Sequence, residues 1–182
     1  MKDYIKQAIR DNAHLIDDNN FDEFYKKICQ RTMMYSDICD VTEFLLDVCG
    51  VDPMPYLTTI PKGYLFKSQK ISDINLFENI EAIKQAAYLG SSVKRATLPK
   101  SCTQVYPQAF SGCTQLTDLR IENPDILMDS SAFTQTHDCC WIMYNGSQEK
   151  FVSKQWPDEL VEDSYVICTD GTLHMVKGVA KK

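Results

Sequence analysis

Apolar residues recur through the middle of this chain at an interval too long for one helix or one strand. The pairs Leu65-Phe66, Ala87-Tyr88, Ala109-Phe110 and Ala132-Phe133 repeat an aromatic at steps of 22, 22 and 23 residues. Three apolar columns keep step with it: Ile71, Val93, Leu116; then Leu76, Leu98, Ile121; then Ile83, Val105, Met128, the last set standing five residues ahead of its aromatics. Four columns in one register predict a solenoid of short strand-containing repeats, each burying its apolar columns only against its neighbours. Alternation predicts strands near residues 74–76, 96–98 and 119–121, with Asn75, Thr97 and Arg120 turned outward. Segments 80–89 and 107–111 are expected to be short helical or 3₁₀ turns that bring the chain back.

On the N-terminal side the period changes to that of helices. Tyr4, Ile5, Ala8, Ile9, Ala13, Leu15 and Ile16 give residues 3–17 one broad apolar face, and 17–20 form a turn. Phe21, Phe24, Tyr25, Ile28 and Cys29 predict a second helix over 21–33. Val41, Phe44, Leu45 and Val48 predict a third, starting near Asp40 or Val41, with Gly50 as its C′ residue and Pro53 blocking continuation. A short helical turn is expected at 55–59 and another at 150–156. Two β-rich runs flank Asp170-Gly171 between residues 165 and 176, a hairpin signal, and the tail 178–182 is expected to be loose. The expected fold class is α+β. It comprises an acidic helical N-terminal domain (1–59), a solenoid (60–145) and a C-terminal cap with hairpin and tail (146–182).

One stretch carries a specific likeness. Gln108-Ala109-Phe110-Ser111-Gly112-Cys113, preceded by Leu98-Pro99 and followed by Leu116-Thr117-Asp118-Leu119-Arg120-Ile121, resembles the BspA-type leucine-rich repeat. The resemblance covers about residues 60–145. The second repeat departs from the phrase, with Tyr88 for Phe and Ser91 near the Cys position, and the fourth loses it after Phe133. Residues 151–157 and 168–173 resemble the closing segment and terminal hairpin found behind such arrays. The resemblance implies a protein partner, no reaction and no cofactor. It also points to small intracellular proteins with a helical head encoded by bacteriophages, hence to an accessory protein that binds and blocks a host factor.

Charge sharpens this reading. The formal net charge is −6, which argues against a nucleic-acid partner. Residues 1–59 hold six Lys/Arg against eleven Asp/Glu, so the head is the acidic part. No apolar run approaches the ~20 residues that span a bilayer, and the N-terminus lacks a signal-peptide core. A cytoplasmic location is expected, that of the host for a phage-encoded chain. The eight cysteines are then expected to be reduced, and their spacing matches no disulfide framework.

Candidate chemistry is sparse. There is no phosphate-binding glycine loop and no Gly-x-Ser-x-Gly elbow. His137-Asp138-Cys139-Cys140 is the densest cluster. Neighbouring cysteines on an extended chain chelate poorly, so no metal is expected. A thiol-dependent enzyme using His137 and Cys139 is one alternative function; a structural virion or assembly component is another. The candidate protein-binding residues are the outward strand positions Asp73, Asn75, Arg95, Thr97, Asp118 and Arg120. The competing surface is an acidic helical stripe of Asp37, Asp40, Glu43 and Asp47. Trp141 and Trp156 are expected to seal the C-terminal end of the array, the alternative being that they anchor an interface.

Overall fold

The computed structural model describes residues 3–12, 21–30, 34–136, 140–176 and 179–181. The head contains α1 (Asp3–Asn12), α2 (Phe21–Gln30) and α3 (Tyr35–Phe44). Ile9, Phe24, Tyr25 and Ile28 are buried, as the helical spacing requires. Ala13, Leu15 and Ile16 of the expected first helix lie outside the described residues. Helix α3 starts at Tyr35 rather than near Asp40, because Ile38 and Cys39 join Val41 and Leu45 in the buried set. It runs on through one π-helical turn, Leu45–Cys49, and stops at Gly50, whose φ of 66° is left-handed. A 3₁₀ turn, Met54–Tyr56, leads into the repeats.

Each repeat contributes one strand to each of two sheets. The short sheet is parallel, in the order β1 (Thr59–Ile60), β3 (Ala82–Ile83), β5 (Gln104–Val105), β7 (Leu127–Met128). The long sheet begins with β2 (Asp73–Asn75), β4 (Arg95–Leu98), β6 (Asp118–Ile121) and β8 (Trp141–Tyr144), also parallel and in register. Of the two expected helical returns, 80–89 contains the strand β3 before it turns, and 107–111 follows β5 as a non-helical turn. Between the sheets lie the apolar columns. Ile60, Ile83 and Val105 are fully buried in one register; Leu98 and Ile121 align in another that continues to Tyr144.

The aromatic column forms a continuous stack. Tyr88 lies 5.1 Å from Phe110 and Phe110 lies 5.1 Å from Phe133, both pairs nearly parallel. Tyr64 extends the column, 6.1 Å from Tyr88 and edge-on. The first repeat is therefore set as Tyr64-Leu65, not Leu65-Phe66. The backbone decides this. Leu65 N–H donates to Ala87 O, as Tyr88 N–H does to Ala109 O and Phe110 N–H to Ala132 O. Gly63 and Lys67 take the left-handed conformation at the places where Gln108 and Gly112 take it around Phe110. Phe66 is left half-buried, 5.7 Å from Tyr35 of α3.

The C-terminal part builds directly onto the long sheet. After α4 (Gln148–Ser153), capped by Ser147 Oγ accepting from Lys150 N–H, and α5 (Asp158–Val161), strand β9 (Tyr165–Cys168) pairs parallel with β8. The hairpin forms as expected, with Cys168 opposite Gly171 and β10 (Gly171–Val176) antiparallel to β9. Part of the tail is not loose: β11 (Val179–Lys181) adds a last antiparallel strand. One apolar core runs from Ile9 through the repeats to Met175.

Candidate protein-binding surface

Period-two alternation on the long sheet sends one set of side chains into the core and the other outward. The two outward rows are read directly from the strand register. One row runs Asp73, Arg95, Asp118, Trp141, Tyr165, His174. The other runs Asn75, Thr97, Arg120, Met143, Ile167, Thr172. All six expected ladder residues are therefore brought together on one surface. Asp73, Asn75, Arg95 and Arg120 are exposed, whereas Thr97 and Asp118 are half-buried.

The charged part of the face is ordered by its own ion pairs. The Arg95 guanidinium donates to Asp73, and Arg120 donates to Glu122. Hydrogen bonds from Arg95 and then Ser72 hold the Asp73 carboxyl below the usual carboxylate range, and the same pair raises the Arg95 pKa. Such exposed pairs contribute little stability, but they fix where the charges sit.

The aromatic part lay beyond the reach of the repeat phrase. Trp141 stacks on Tyr165 at 4.8 Å, and Tyr165 on His174 at 4.3 Å. Trp141 is 46% exposed, Met143 37% and Ile167 42%. Two shallow depressions, of about 360 and 220 Å³, lie on this face and share Arg120 and Met143 where the charged and apolar parts meet. The signal for these residues was the alternation Trp141-Ile142-Met143-Tyr144, 23 residues after Asp118 to Ile121. The two tryptophans thus separate. Trp156 seals the end, stacked 4.7 Å from fully buried Phe151, while Trp141 stands on the outward face.

The acidic stripe is arranged differently. Asp37 is 4% exposed and Asp40 half-buried. Glu43 accepts from Ser68 Oγ at 2.6 Å and pairs with Lys70 Nζ at 2.9 Å, and Lys70 also pairs with Asp47 at 2.5 Å. The hydrogen bonds that Lys70 donates to Asp47 and then to Glu43 raise its pKa. The lower half of the stripe therefore holds the head against the first repeat.

The described thiols are mostly buried. His137, Asp138 and Cys139 lie outside the described residues. Cys39, Cys102, Cys113 and Cys168 are buried and form no disulfide, Cys49 is exposed and forms none, and Cys140 is buried. Burial, followed by Glu43 and Asp40, pushes the Cys39 thiol up to about 12; burial pushes Cys102 and Cys113 up to about 11. Cys113 Sγ donates to Tyr88 O at 3.1 Å, a packing role between repeats. Among the described residues no group of three or more His, Cys, Asp or Glu is placed to hold a metal. Also among them, no helix is long and apolar enough to cross a membrane.

Comparison with curated proteins and with solved structures gives no match. The model of one family, the BspA type leucine rich repeat region, matches residues 54–153 in six copies, more than half of the chain. Its span begins at the 3₁₀ turn before β1 and ends with α4, so it takes in every strand of the short sheet and four of the long one. The two-sheet solenoid, the buried aromatic stack and this match agree: the chain belongs to the BspA-type leucine-rich repeat family.

Proposed function

We propose that this protein is a non-enzymatic binding module whose protein partner lies across the outward face of the long sheet. One observation carries the reading: six strands present two continuous rows whose charged half runs into an exposed Trp141, Met143 and Ile167. Aromatic and arginine side chains dominate the energetics of protein interfaces, and a solenoid holds them rigidly, so little ordering entropy opposes binding. The finer reading is a bacteriophage accessory protein that captures and inhibits a host defence factor in the host cytoplasm. The small scaffold, its family resemblance and the mixed charge of the face support it. The test is affinity capture from host lysate on the tagged chain, followed by infection assays with the captured factor deleted. Recovery of one host protein whose deletion removes the phenotype of losing this chain supports the inhibitor reading. Capture of capsid proteins instead assigns it to the virion.

A further inference from the structure

The first strand of the long sheet has a free edge. Ser72 O accepts from Lys94 and Arg95 N–H, and Leu76 N–H donates to Thr97 O, so residues 72, 74 and 76 turn their backbone groups toward β4. In a parallel ladder the intervening residues point the other way. The N–H and C=O of Asp73 and Asn75 accordingly face outward from the sheet edge, and among the described residues no hydrogen bond reaches them. Beside this edge lies a groove of about 250 Å³ whose apolar wall is formed by Leu46, Met54, Tyr64, Leu65, Ile71 and Phe77. Phe77 is 45% exposed. The charged residues lining the groove are Asp52 and Asp73, both acidic.

We propose that this edge is a strand-addition site for an extended segment of a partner protein that alternates aliphatic and basic residues. The repeat itself dictates that chemistry. A strand laid against β2 takes the place of a preceding repeat. Its inward side chains would continue the column of Ile74 and Leu119 and fill the groove, so they are aliphatic. Its outward side chains would stand next to Asp73, in a row whose signs already alternate as Asp73, Arg95, Asp118, so they are basic. Backbone pairing supplies affinity and the groove supplies selectivity. A second copy of this chain fits poorly, because edge-to-edge pairing would set Asp52 and Asp73 of each copy against acidic groups of the other. The short length of β2 and its acidic residue guard the edge against indiscriminate pairing.

The probe is the peptide acetyl-Lys-Val-Lys-Val-Lys-Val-Lys-amide added to the full chain, read by amide hydrogen exchange. Saturating peptide is expected to slow exchange at Asp73 and Asn75 by about tenfold or more, with amides of β9 unchanged. Asn75→Pro removes one edge donor without touching the β4 pairing and is expected to abolish that protection. If Asn75→Pro fails to fold, Phe77→Ser and a peptide N-methylated on its central valine test the same contact from its two sides. Trp141→Ala should leave peptide binding intact, which separates this edge from the outward face. Absence of protection, protection that survives both Phe77→Ser and N-methylation, or protection of the free chain by its own dimerisation would each overturn the proposal.

Discussion

The two ends of the solenoid are closed by different physics. At the C-terminal end, chain continuity places Phe151 and Trp156 on the last repeat, with Tyr144 edge-on at 5.1 and 5.6 Å. The polar groups released there are met: Trp156 Nε1 donates to Phe151 O, and Lys154 Nζ donates to Pro124 O and Ile126 O. At the N-terminal end the head covers only the turn side. It does so by a close approach of Tyr35 to Gly63, by Tyr25 6.4 Å from Tyr64, and by the Glu43–Lys70–Asp47 cluster. One end is a continuation of the core, whereas the other is a docked lid with a strand edge left open. Solenoid stability sums over neighbours, so the end with fewer apolar neighbours should open first.

Changes to the shared core should erase the difference between the ends. Phe110 and Phe151 are fully buried, and truncating either to Ala costs about 3–5 kcal/mol. Much of a small domain's stability is lost with either variant, and thermal unfolding should show a collapsed or absent transition for both.

Gly63→Ala attacks the lid alone. Gly63 has φ of 68°, and a Cβ there would lie 2.7 Å from Tyr35 Cα, so α3 must retreat. Backbone strain of this kind costs about 1–3 kcal/mol. Limited proteolysis should release the head while the repeats persist; a mutant resistant to cleavage would show that the lid is held elsewhere.

Tyr88→Phe should shift stability in the opposite direction. The Tyr88 hydroxyl is buried and finds no hydrogen-bond partner among the described residues. Burial raises its pKa well above the ordinary phenol range. Removing an unsatisfied hydroxyl from the stack should stabilise the protein by about 1 kcal/mol, visible as a higher Tm. The smallest effect belongs to Lys70→Ala. The lysine is solvent-exposed, so its loss should lower the Tm only slightly and the difference from the unaltered chain should fade in high salt.

The columns that could be read in the sequence were those with a repeated steric demand. Phe110, Leu98 and Val105 recur in kind because each must fill the same slot against its neighbours, and the outward ladder from Asp73 to Arg120 followed by parity. The first repeat was misplaced by one residue because Phe66 looks like the aromatic of the column. The true marker is the pair of left-handed turns at Gly63 and Lys67, and in later repeats residues such as Ala86, Gln108 and Gln135 occupy equivalent conformations without announcing them. Met143, Tyr165 and Ile167 were missed as surface residues, and Trp141 was expected first as an end seal, because the repeat phrase fades after Phe133, although strand register does not. The role of Glu43 and Asp47 was hidden for another reason: a helical acidic stripe looks solvated until its partner, Lys70, is placed beside it by the fold.

Binding of the partner by the outward face of the long sheet, as proposed, remains the step on which the function rests. It is tested most directly by comparing capture of the partner by the unaltered chain with capture by Arg95→Glu/Arg120→Glu/Trp141→Ala. The control is Glu81→Lys/Lys100→Glu, which changes exposed residues outside the two outward rows. The control should melt with the unaltered chain; the triple variant, which sets an acid between Asp73 and Asp118 and removes a ring stacked on Tyr165, should melt lower but still in one cooperative transition, and capture is compared below that temperature. The triple variant is expected to lose the partner and the control to keep it. Full capture by the triple variant, or loss by the control, would contradict it.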